Sequence, residues 1–380
     1  AASDVYKRQI YANMQDVKSA TEDVIPISIA QIIKVAALSR VTDTYGPIPY
    51  SQVGLDGKLV APFDTEKEVY YKMFDELTDA INTLTINRTQ NLTANADKVY
   101  SGNVEKWIKF ANSLKLRMAM RICYVDKGKS EIMVKEAIDT SNGKLGVMTE
   151  NSDNAFMPAT INPFYMVCYS YNGGETKISA DLSSYMNGYQ DPRREIYGVT
   201  STFDESENIT NGFHGLRVGN EYPIKTGQCY SNVKVEVSSP IMWMNAAEVM
   251  FLRAEAALRG WDTEKTPKAY YEAGIRLSFE QLGAKNVEDY LVSTNTPESY
   301  KDPLGTYSFS GTPSTISVQW KDGNFEESLE RIITQKWIAN FPLGLEAWAE
   351  FRRTGYPKLM GTASNKSGGD IEEGKFPRRL

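Results

Sequence analysis

Between Thr65 and Leu84 the chain sets Val69, Met73, Leu77, Ala80, Ile81 and Leu84 at helical spacing with charged residues between them. A period of 3.6 residues leaves one apolar face, which is stable only when covered by other elements. Thr65, with Glu68 three residues later, forms a capping-box signature that marks the helix start. The same pattern returns over Val104–Ile122, where Trp107, Phe110, Ala111, Leu114 and Met118 form a stripe. A shorter helix is predicted over Lys129–Thr140, stopped by Asn142-Gly143. Further on, Asn245–Arg259 ends at Gly260, and Thr266–Leu282 opens with an N-cap threonine and Pro267 at the first helical position. Phe325–Asn340 is closed by Pro342, and Glu346–Arg353 by Gly355 and Pro357.

These segments predict a mostly α-helical fold. The pairs 65–84/104–122 and 245–259/266–282 read as antiparallel hairpins. Small residues such as Ala246, Ala254, Ala269 and Gly274 permit close helix approach, in the manner of tetratricopeptide pairs without a strict repeat. From about 143 to 240 the texture changes. Asn172-Gly173-Gly174, Asn187-Gly188, Asp191-Pro192 and Asn211-Gly212 are turn signals. Only Ile178–Met186 reads as a short helix and Val233–Val237 as a short strand. With no clean linker, the expectation is one domain over 10–380, a helical frame at about 24–142 and 241–357 carrying an irregular insert at about 143–240.

Composition narrows the function. With 42 basic and 48 acidic residues the net charge is −6, and no Lys/Arg stripe offers a footprint for nucleic acid. The single histidine, His214, sits in a turn-like stretch, which argues against Ser-His-Asp, Cys-His and multi-histidine zinc sites. Cys123, Cys168 and Cys229 are odd in number and far apart, as buried thiols would be. No phosphate loop, dinucleotide fingerprint or calcium loop occurs, so no cofactor is expected. The apolar run Ile25–Leu38, broken by Pro26, Ser28, Gln31 and Lys34, is read as falling short of a membrane span. Residues 1–9 resemble a translated sequencing-adapter remnant and are set aside as non-native.

Four stretches taken together resemble the SusD/RagB family of outer-membrane nutrient-binding lipoproteins, in its SusD-like branch. They are Ala30–Ser51, running into Tyr45-Gly46-Pro47-Ile48-Pro49-Tyr50; Asn245–Gly260; Ile332–Pro357, the most specific; and Pro377–Leu380. The resemblance implies a SusD-like fold and non-catalytic capture of oligosaccharide, or peptide, at the bacterial cell surface. It also implies a partner, a TonB-dependent transporter of the SusC type, and location at the outer membrane. The chain is read as lacking both ends of such a protein, with membrane attachment only through a lipid anchor on the missing N-terminus. A bacterial relative removes the glycosylation meaning of the Asn-X-Thr triplets at Asn87, Asn91 and Asn208. Two other readings stand beside it: an all-helical glycoside hydrolase or lyase working through carboxylates, and a helical-repeat scaffold for proteins.

Sugars present C–H faces to aromatic rings, and tyrosine joins a rigid ring to a polar tip. The chain has 22 tyrosines, many in loops. The candidate ligand contacts are Tyr45, Tyr50, Asn162, Phe164, Tyr165, Tyr169, Tyr171 and Trp320, with Asn172 and Gln319 as further polar groups. Trp107, Trp243, Trp337 and Trp348 fall on apolar helix faces and are expected in the core. Glu346, Glu350, Arg352 and Arg353, and likewise Asp191, Arg193 and Arg194, read as ion-pair networks rather than catalytic groups.

Overall fold

The computed structural model describes residues 2–53, 61–171, 175–201, 212–221, 229–372 and 376. Asn172, Asn208 and Pro377–Leu380 lie outside the described residues. The first helical block comprises α1 (Ala2–Ala20), α2 (Val24–Tyr45), α3 (Glu66–Ile86), α4 (Val104–Arg121) and α5 (Lys127–Ile138). The second comprises α9 (Ala246–Leu258), α10 (Pro267–Leu282), α11 (Val287–Leu291), α12 (Phe325–Ala339) and α13 (Gly344–Thr354). Between them lie strand β1 (Ala155–Met157), the short helices α6 (Pro163–Tyr165), α7 (Ala180–Gly188) and α8 (Arg194–Tyr197), and strand β2 (Ile241–Met244). The fold is mostly helical, as the sequence predicts.

Local signals set the helix ends. Thr65 accepts from the Glu68 backbone while Glu68 reaches back to the Thr65 N–H, completing the capping box. Asn245, Thr266 and Asn324 cap α9, α10 and α12 with their side chains. Pairing follows the apolar faces. α4 packs on α5 through the short turn 122–126, α9 on α10, and α3 chiefly on α2. α3 and α4 do pack, as the expected 65–84/104–122 pair requires, and α3 packs still more extensively on α2 although the connection 46–65 is longer than 87–103. At the α9–α10 contact, a Cβ on Gly274 would come within 2.8 Å of the Phe251 ring, so the small residue sets the helix spacing.

α2 is long and apolar enough to cross a membrane by length and composition, which overturns the reading of that run as too short. In this fold Ile25, Ile29, Ile32, Val35 and Leu38 instead line the core. Two short strands that the sequence did not signal pair antiparallel, Ala155 with Met244 and Phe156 with Met242, with a bulge between. The strand expected at Val233–Val237 reduces to one bridge, Gly198 to Val233, because no neighbouring strand extends the ladder. Among the tryptophans expected in the core, Trp107 is closed to solvent. Trp243, Trp337 and Trp348 are only half-buried, Trp348 because its face carries the Arg352 guanidinium.

The helical frame is built around charge as well as oil. Arg117 of α4 grips Glu248 of α9 with two 2.7 Å bonds. Arg121 bonds Glu346 and Glu350 of α13, and Lys336 of α12 lies within 3.3 Å of both. Arg193 is equally enclosed. It pairs with Asp191 and donates to Ser278 of α10 and Gln335 of α12 at 2.9 Å each, which fastens the insert to the second helical block. Cys123, Cys168 and Cys229 are all buried, and His214 lies outside any helix or strand.

Candidate functional site

Asn162, Phe164, Tyr165, Tyr169 and Tyr171 come together on one short helical segment of the insert. Asn162 caps it: its Oδ1 accepts from the Phe164 N–H at 2.7 Å, and its Nδ2 donates to the Ser239 carbonyl at 2.7 Å. Pro163 occupies the first helical position. After Tyr165 the backbone widens into a π-helical turn, Met166–Ser170, a form that recurs at functional sites. The turn leaves Tyr165 and Tyr169 stacked, with centroids 5.1 Å apart and planes at 30°. Both rings are half-buried. Tyr171 is 68% exposed, and Ile161, Met166 and Val167 of the same stretch are exposed as well. The Tyr169 hydroxyl donates to the Val233 carbonyl, and burial pushes its pKa up, so the ring stays neutral and fixed.

The other sequence candidates sit elsewhere. Tyr45 ends α2 and is half exposed before Gly46, whose φ of +83° turns the chain. Tyr50 is buried under Lys34, with its hydroxyl donating to Glu76 at 2.5 Å. Burial first, and then Glu76, raise its pKa far above the usual value. Its backbone N–H and that of Ser51 donate to Asp64, so this residue braces the loop rather than opening to solvent. Trp320 is half-buried against Tyr271, with centroids 5.3 Å apart, and its Nε1 donates to Asp322 at 3.0 Å. The Gln319 backbone N–H donates to the Ser293 carbonyl.

A cleft of about 250 Å³ adjoins the aromatic segment, lined by Phe164, Lys177, Leu182, Trp337, Asn340 and Phe341 among others. Phe341 meets Phe164 edge to face at 6.4 Å, and Trp337 meets Tyr185 at 5.5 Å. Sequence reasoning passed over Asn340 and Phe341. Their signal was an Asn-Phe-Pro run at a helix end, read only as a stop. A larger cleft of about 630 Å³ opens beside α3 and α13, lined by Lys67, Tyr70, Tyr71, Tyr124 and Arg352. Its polar groups are mostly spent internally: Tyr70 donates to Asp43, and Tyr71 to Asp126. Among the described residues no cluster of His, Cys, Asp and Glu could hold a metal ion.

The α-helical frame thus presents aromatic rings whose positions are fixed by stacking and by the Tyr169–Val233 bond. The family model described as SusD-like, Susd and RagB outer membrane lipoprotein, matches residues 2–380, and the chain belongs to that family. SusD-like proteins are non-catalytic carbohydrate-binding proteins, and this chain is not an enzyme. It is similar to a SusD homolog from Bacteroides uniformis, with 48% identity over 97% of this chain and 78% of the other, at a TM-score of 0.91. A SusD homolog from Bacteroides ovatus shares 44% identity over 98% of this chain and 78% of that one, at a TM-score of 0.91. A chitin-binding SusD homolog from Flavobacterium johnsoniae shares 36% identity over 98% and 78% of the two chains, at a TM-score of 0.90. No curated protein matches the chain.

Proposed function

We propose that the chain captures oligosaccharide at the bacterial cell surface through the 162–171 segment and passes it to a TonB-dependent transporter of the SusC type. In this reading it forms one domain over residues 10–380, held at the outer membrane by a lipid anchor. The observation that carries the reading is the stacked Tyr165–Tyr169 pair beside exposed Tyr171, on a turn whose backbone is already tied down. Rings fixed before binding lose little entropy when a sugar face lies on them, so their contact area converts efficiently into affinity. Phe164 extends the surface towards the cleft, and Tyr45 and Trp320 offer further contacts on neighbouring elements. Tyr50 and Asn162 act by holding their loops. The Flavobacterium johnsoniae relative, described as chitin-binding, supports a glycan over a peptide.

The test is a glycan-array screen of the chain with product analysis on each hit, followed by copurification with a SusC-type transporter. Saturable binding without cleavage is expected. Silence across the array, with saturable binding of peptides, would replace the glycan reading with peptide capture.

A further inference from the structure

On α2, Ile33, Ala36, Ala37 and Arg40 fall three and four residues apart on one helical face. That face, with Arg117 of α4 and Trp243 of β2, lines a cleft of about 220 Å³. The space is small beside the roughly 300–1,000 Å³ of a site for a drug-sized ligand, so it takes one unit of a larger molecule. Arg40 is the cation left over in this part of the fold. Among the arginines whose side chains are described, every other one donates to a side chain or a backbone carbonyl. Arg40 makes no such bond and no ion pair. None of its nitrogens is both enclosed and unbonded, so this unbonded guanidinium still meets solvent. Burial lowers its pKa, and Arg117 lowers it next, which puts the charge on the side that faces Arg117 and the cleft. Glu346 and Glu248 act in the opposite sense. Both are already held, Glu248 by Arg117, and Glu346 by Arg121 and Lys336.

A half-enclosed guanidinium beside a second one, with an indole and aliphatic side chains around it, is matched by an anion that carries an apolar face. We infer that the cleft is a subsite for a hexuronate unit of an acidic glycan. The carboxylate takes the two parallel N–H bonds that a guanidinium offers a planar anion. The C–H face of the same ring lies against Trp243 and Ile33. A neutral hexose accepts a bond but leaves the charge unmatched, and an amino sugar brings a further cation to two arginines. A sulfate ester carries the charge on a bulkier group, one bond further from the ring. The net charge of −6 opposes a continuous polyanion, so the favoured ligand carries its uronates among neutral units. The assignment rests on the glycan-capture reading and narrows it to a substrate class.

Titration calorimetry of the chain uses a xylotetraose bearing one glucuronate and a galactose tetramer bearing one galacturonate, each beside its methyl ester. A galactose tetramer bearing one 6-sulfate completes the set. At least one acid is expected to bind about tenfold or more tightly than its ester, and Arg40→Met, which keeps the apolar stem, to bring the two within about threefold. A preference that survives Arg40→Met would overturn the subsite, and tighter binding of the sulfate would overturn the hexuronate. If that variant does not fold, Ala37→Leu, which adds bulk to the cleft wall, takes its place, with the same loss expected and its persistence counting against the subsite. No preference for either acid, with neutral glycans bound on the array, overturns the subsite and leaves glycan capture standing. Failure of every glycan removes both.

Discussion

The two terminal nitrogens of Arg353 each lie 2.7 Å from an oxygen of Glu255, a fork that ties α13 to α9 across 98 residues of chain. The same guanidinium reaches Glu350 at 2.7 Å, and all three side chains are almost closed to water. Bidentate geometry supplies the attraction that offsets burying the charges. Burial alone would raise the Glu350 carboxyl, but Arg353, Lys336 and Arg121 outweigh it and hold the group well below the usual range. Glu346 is held down likewise by Arg121, Arg117 and Lys336.

Arg353→Leu leaves Glu255 and Glu350 buried without their fork, and should cost about 3–5 kcal/mol in denaturant unfolding at neutral pH. A loss under about 1 kcal/mol would mean that the remaining cations carry the cluster. Because these carboxyls titrate lower folded than unfolded, their stabilisation is complete above the unfolded value of about 4.3 and fades as pH falls below it. The wild-type melting temperature should therefore drop through that acid window.

Asp181 runs the opposite way. Burial raises its carboxyl to about 6, even though the Met360 N–H donates to it at 2.6 Å. Its folded pKa exceeds its unfolded one, so the ionised form burdens the fold above about pH 6, and the burden vanishes below about pH 4. Asp181→Asn keeps an acceptor for Met360 and should stabilise at pH 8 by as much as about 2–3 kcal/mol, with no gain near pH 4. Melting curves at the two pH values check this, and an equal effect at both would refute it.

Tyr171 is exposed and stacks on no neighbouring ring among the described contacts. Tyr171→Ala should leave the melting temperature unchanged and weaken glycan binding by about three- to tenfold, the worth of one aromatic contact. Unchanged affinity would move the binding surface elsewhere.

Trp107 and Trp337 should separate in stability. Trp107 is 1% exposed, and its Nε1 donates to Asp97 at 2.7 Å. Its replacement by Ala should cost about 3–5 kcal/mol. Trp337 is half-buried at the cleft, so Trp337→Ala should cost less than Trp107→Ala while weakening glycan binding. Equal stability losses in calorimetric unfolding would place Trp337 in the core after all.

What the sequence made legible is local. Thr65 with Glu68, and Thr266 with Pro267, act within one turn, so their hydrogen bonds can be read from spacing. The aromatic run 164–171 was visible too, because its residues are adjacent. Openness was not, since it depends on what covers a ring. Tyr50 lies beneath Lys34 while Tyr171 lies free, and no feature of either tyrosine's own neighbours in the chain distinguishes them. The cleft around Asn340 was hidden for the same reason. It joins α6, α7 and the α12–α13 turn, elements far apart in the chain. Arg193 behaves alike, with partners at Ser278 and Gln335, 85 and 142 residues away. The β1–β2 pair has strands of three and four residues, too short for alternation to register.

The bond from the Tyr169 hydroxyl to Val233 has a consequence for ligand choice. Val233 also lines the cleft, and Phe164 borders both the stacked pair and the cleft. The tyrosine face and the cleft are thereby held at a set separation, like two marks on a ruler. A chain of sugars that engages both is then selected by the distance between its units as well as by their chemistry. A polymer with the right residues at the wrong pitch would touch one mark and miss the other.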